Sequence, residues 1–127
     1  MITVKSEIKN FLEKSIVAFA TVDLNNKPNV VAVAFCKFIS DNQVLITDNF
    51  MNKTRENLEH NKNVSLSFWN QDNGYQLKGI AEVFTSGEFK DIIDSDPNNY
   101  GLAHKAAILV TIDEIWDLSN PKLLAKA

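Results

Sequence analysis

Residues that carry chemistry are scarce in this chain of 127 residues. A single cysteine, Cys36, rules out an internal disulfide and suits a reducing cytoplasm. The two histidines, His60 and His104, lie far apart with no cysteine or carboxylate at ligand spacing, so no metal is expected. Four glycines make neither a GxGxxG fingerprint nor a Walker-type loop. Ser15, Ser65 and Ser67 have no sequence context for a nucleophile. No stretch approaches the roughly 20 apolar residues that cross a bilayer. The amino terminus mixes Lys5, Glu7 and Lys9 among its apolar residues, unlike a signal peptide. A net charge of -3 argues against nucleic acid as the main partner, a role that usually needs a basic face. These absences predict a cytoplasmic protein whose redox chemistry, if it has any, belongs to a cofactor.

What is present is an ordinary globular composition, 45% hydrophobic and 23% charged. The length suits one domain over residues 1–127, with a core that needs neither disulfide nor metal. Val4, Ile8, Phe11 and Leu12 fall at helical spacing and predict an amphipathic helix from Thr3 to Lys14. Ile16 to Val22 alternates as a first strand, and DLNNKP supplies a turn. Asn29 to Ile39 is almost continuously apolar and predicts one long strand covered on both faces. Gln43 to Thr47 reads as a strand, and about Asn52 to Glu59 as a helix. Asn63 to Asn70 and Tyr75 to Thr85 form a hairpin across Gln71-Asp72-Asn73-Gly74. Gly87 to Asp94 is a short helix, broken by Asp96-Pro97-Asn98-Asn99. Ala106 to Ile112 is the last clear strand, followed by Glu114 to Leu118. About six strands, mostly joined by hairpins, predict a mainly β fold closed into a small barrel. The second strand then needs an outer cover: a ligand, a partner subunit, or both.

Three groups of residues could carry function. LITDNFMNKTRENL delivers Lys53 and Thr54 to a helix start, where unpaired N–H groups and the dipole favour an anion such as phosphate. The same pattern also fits an ordinary helix capped by Asn52. In Val30 to Phe35, small Ala32 and Ala34 alternate with larger residues and would let a flat ring approach the backbone; plain packing explains them too. Trp69, Tyr75, Gln76, Lys78 and Trp116 suit an interface, with some reaching a ligand across it.

Taken in order, FATVDLNNKPNVVAVAF, LITDNFMNKTRENLEHNKNVSLSFW, GYQLKGIAEVF and AAILVTIDEIWDL resemble the flavin-binding split barrels of the pyridoxamine 5'-phosphate oxidase-like superfamily, most closely its short dimeric FMN-binding proteins. The resemblance implies a six-stranded antiparallel Greek-key split β-barrel and a homodimer holding FMN between subunits. By position, Lys53 and Thr54 would grip the FMN phosphate. Val31, Ala32, Val33 and Ala34 would line the isoalloxazine, Thr47 and Asp48 would meet ribityl or ring atoms, and Trp116 or its neighbours would close the pocket from the partner subunit. The oxidase's arginine- and histidine-bearing C-terminal segment has no counterpart in PKLLAKA, which argues against vitamin B6 oxidation. The implied function is an FMN-dependent oxidoreductase or electron-transfer protein acting on a small molecule or redox partner. A flavin-storage dimer and a deazaflavin-dependent reductase are the alternatives.

Overall fold

Inward–outward alternation decides how this chain pairs with itself. The computed structural model describes residues 2–127. The chain runs α1 (Ser6–Glu13), β1 (Val17–Val22), β2 (Pro28–Val33), β3 (Cys36–Phe38), β4 (Gln43–Asp48), α2 (Lys53–His60), β5 (Asn63–Trp69), β6 (Gly74–Phe84), α3 (Glu88–Ser95), β7 (Ala106–Asp117) and β8 (Lys122–Lys126). A 3-10 turn, Pro97–Asn99, follows α3. The strands pair antiparallel in the order β2-β1-β5-β6-β7-β4-β3, and β8 joins the C-terminal half of β7. The result is a mainly β, curled half-barrel sheet with three short helices, a split barrel as expected.

Eight strands stand where six were expected, for two reasons. Val33 and Cys36 both point inward, three residues apart, which an unbroken strand of period two cannot achieve. The expected Asn29–Ile39 strand therefore breaks at Ala34 and Phe35 into β2 and β3. Those two strands are opposite edges of the sheet, so the break is the seam of the barrel. The second addition is β8, whose mostly exposed residues carry no alternating apolar signal.

Inside the curl, Phe19, Val44, Ile46, Leu66, Phe68, Leu77, Ile108 and Val110 form the main core, and Ile8 and Leu12 of α1 pack into it. A second cluster, Leu45, Ala107 and Leu109, lies on the other face beneath Ile93 of α3. Hence β4 and the first half of β7 are the strands buried on both faces. Within this chain nothing covers the outer face of β2: Val30 is 62% exposed and Ala32 lies open beside it, on the face for which the sequence called for a ligand or a partner subunit. Its apolar character did not distinguish a face packed within the chain from one left open.

Two glycines shape the sheet through close approach. At Gly79 a Cβ would sit 2.2 Å from the Thr111 carbonyl oxygen, where the β6–β7 register shifts. At Gly74 it would meet Cβ of Trp69 at 3.1 Å, so this glycine starts β6 rather than completing an Asn-Gly turn. The hairpin loop is instead Asn70–Asn73, with Asn70 Oδ1 accepting from the Asp72 and Asn73 N–H groups at 2.9 and 2.7 Å.

Candidate functional site

Where β2 ends, β4 ends and α2 begins, the three elements enclose a cleft of about 560 Å3. That volume lies within the usual range for small-molecule sites, roughly 300–1,000 Å3. Val31, Ala32, Val33 and Ala34 form one wall, Thr47 stands at the end of β4, and Lys53 and Thr54 open α2. Seven of the nine residues expected at a cofactor thus share one cavity.

The helix start has spare donors. Asn52 makes no side-chain cap, and the first carbonyl–amide bond of the helix runs from the Glu56 N–H to the Asn52 oxygen at 3.1 Å. Such a first turn presents N–H groups and the positive dipole end to the cleft. Lys53 is exposed and forms no ion pair among the described residues. The Thr54 hydroxyl, 1% exposed as a residue, accepts from Asn29 Nδ2 at 3.2 Å, which leaves its own proton to donate. Deeper along the helix, Asn57 Nδ2 donates to the Thr21 hydroxyl at 3.0 Å, so α2 is tied to both β1 and β2.

Asp48 sits behind the cleft rather than in it. Fully buried, its carboxylate accepts from Arg55 Nη1 at 2.7 Å and from the Met51 N–H at 2.9 Å, with Lys105 Nζ at 3.9 Å. These bonds fold the turn from Asn49 to Asn52 that aims α2 at the cavity. Trp116 also lies outside the cleft of its own chain, its indole donating to Glu114 Oε1 at 3.0 Å. Register places it on the outer sheet face in the same row as Ala32: Ala32–Ala18–Ser67–Gln76–Trp116. Four strand spacings, roughly 19 Å along the sheet, separate the two. Tyr75 packs inward against Phe11 and Phe68.

Sequence reasoning missed Asn29, Phe35, Asn49, Phe50, Met51, Asn52 and Leu102 as lining residues. Most are chain neighbours of residues that were named, so contiguity could have found them. Leu102 could not be found this way. It arrives from a distant loop anchored where the His104 N–H donates to Asn49 Oδ1 at 2.8 Å. Among the described residues, no cluster of three or more metal-ligating side chains occurs, and no helix is long and apolar enough to cross a membrane.

Comparison with known proteins places this geometry in context. The family model described as pyridoxamine 5'-phosphate oxidase matches residues 4–119. An uncharacterised protein of Methanocaldococcus jannaschii, MJ0282, is 37% identical over 135 residues, covering 99% of this chain and 91% of that protein. Among solved structures, HupZ of Group A Streptococcus superposes with a TM-score of 0.86 at 23% identity, covering 98% of each chain. An FMN-binding protein from Syntrophomonas wolfei subsp. wolfei gives 0.76 at 17% identity, over 90% of this chain and 85% of that one. At those identities the two structures speak for the fold alone.

Proposed function

We propose that this chain, which belongs to the pyridoxamine 5'-phosphate oxidase family, is a flavoprotein that binds FMN in the cleft between β2 and α2. The observation that carries this reading is the pairing of an uncapped helix start bearing a free Lys53 with an open wall of small residues, Ala32 and Ala34. The first offers donors and positive charge to a phosphate; the second offers a flat apolar surface to a ring. Val31 to Ala34 would lie along the isoalloxazine, Thr47 near the ribityl chain, and Lys53 and Thr54 on the phosphate. Asp48 takes a different part from the one first expected, shaping the turn through Met51 and Arg55. When bound, the flavin supplies hydride or single-electron transfer.

Among the described residues, Lys53 is the one ionisable side chain lining the cleft. With no acid or base beside the ring wall, electron transfer, flavin reduction or flavin storage fits better than chemistry needing proton abstraction from a substrate. The open outer face of β2 supports a homodimer in which Trp116 of a second copy covers the cleft. FMN titrated into the purified protein should give a perturbed visible spectrum and quenched flavin fluorescence at one equivalent per chain. Unchanged flavin spectra would refute the proposal, and preferential uptake of a deazaflavin would redirect it. Rapid reduction of the bound flavin by NADH or NADPH would mark an enzyme. Reduction by dithionite alone would mark a carrier or store.

A further inference from the structure

Two threonine hydroxyls tie α2 to the hairpin of β1 and β2, and they differ in what else they face. Thr54 and Asn57, three residues apart, share one face of α2. Thr21 and Asn29 stand directly opposite each other across the β1–β2 ladder. The bonds cross between these pairs: Asn57 Nδ2 donates to the Thr21 hydroxyl at 3.0 Å, and Asn29 Nδ2 donates to the Thr54 hydroxyl at 3.2 Å. The first bond is buried within the fold, whereas Asn29 and Thr54 both line the cleft.

A hydroxyl has one proton and two lone pairs. With an Asn29 N–H on one lone pair, the Thr54 proton cannot point at Asn29, and among the described residues it is given to no other group. The little surface that Thr54 keeps faces the cleft, so the proton is left for an acceptor there. Were the Asn29 amide turned about, its oxygen would take that proton, and Thr54 would show only lone pairs to an anion. Residue 29 thus decides whether Thr54 attracts a phosphate or repels it. Resting on the FMN reading above, we propose that Asn29 is a positioning residue: acting through the Thr54 hydroxyl, it adds a directed donor to Lys53 and the helix amides and tunes the site to a phosphate rather than an uncharged chain end.

The test is a double-mutant cycle on the full chain, read by fluorescence titration of FMN and riboflavin, with the urea midpoint reporting the fold. Thr54→Val should weaken FMN about tenfold, the worth of a hydrogen bond to a charged group, and Asn29→Ala about fivefold, the worth of an ordinary one. Because Asn29 acts through the hydroxyl, the losses should not add: in the Thr54→Val chain, Asn29→Ala should change FMN by less than about twofold. Riboflavin, which lacks the phosphate, should bind each variant nearly as it binds the natural protein. Thr21→Val breaks the companion bond and should lower the urea midpoint without altering the ratio of FMN to riboflavin affinity. Additive losses, equal losses for the two flavins, or the same change of ratio from Thr21→Val would each overturn the proposal. So would natural FMN affinity in Asn29→Asp, whose carboxylate only accepts and would take the Thr54 proton; that variant keeps the residue's size should Asn29→Ala misfold. Failure of the natural protein to bind FMN would remove the flavin reading itself, whereas a loss in Thr54→Val with none in Asn29→Ala would remove this inference alone.

Discussion

At the scale of single residues, the site divides between groups that would touch a ligand and groups that hold them. Lys53 is exposed and unpaired, so its loss removes charge without disturbing packing. Lys53→Ala should weaken FMN by about tenfold to a hundredfold, the worth of a charge-assisted hydrogen bond, and change riboflavin affinity little. Parallel fluorescence titrations measure both, and equal losses would place the phosphate elsewhere. Asp48 is the opposite case, fully buried and engaged by Arg55 and the Met51 N–H. Asp48→Ala leaves a cation and a backbone donor without their acceptor and should cost about 3 kcal/mol of stability, read from the urea midpoint. Asp48→Asn should cost less, because an amide oxygen still accepts from Met51. The family resemblance, carried over by position, set Asp48 with Thr47 at the ligand; the direction of its side chain depends on β4 being buried on both faces, which a local pattern does not reveal.

Among elements, strand identity was more legible than strand boundary. β1, β5 and β6 were visible because alternation and turn residues agree there. The break between β2 and β3 was not, since VVAVAF is apolar at every position and gives no parity to read. β8 escaped for the converse reason: it is exposed along most of its length and pairs only with β7. The helix start at Lys53 was legible as a possible anion site, yet its missing cap depends on the backbone of Asn52, at φ -120° and ψ -71°, which residue type does not dictate. Gly79 shows how one backbone contact sets an entire pairing. A methyl group there would lie 2.2 Å from the Thr111 oxygen, so Gly79→Ala must push β6 from β7. The expected cost is about 3 kcal/mol, in the range of strained overpacking, seen as a lower urea midpoint with an unchanged slope.

For the whole molecule, the open sheet face is the surface on which the proposed homodimer rests. Ile16, Val30 and Trp69 are 70%, 62% and 61% exposed and border one concave surface with Ala18 and Ala32. An apolar surface of this kind marks a contact site, and it adjoins the wall proposed for the flavin ring. Light scattering should give twice the chain mass for the natural protein. Trp69→Asp should shift it toward the monomer while leaving monomer stability within about 0.5 kcal/mol; a natural protein that binds FMN tightly as a monomer would contradict the shared site. The seam at Ala34 and Phe35 carries one more consequence. Two edge strands joined by a short link, with no ladder between them, are where the sheet opens at least cost. A ligand seated against β2, β4 and α2 would act as a rivet across that opening. Amide hydrogen exchange should therefore slow in β2 and β3 when FMN is added, well beyond the residues it touches, while β5 and β6 keep their rates. The cofactor would then be part of what keeps the barrel shut.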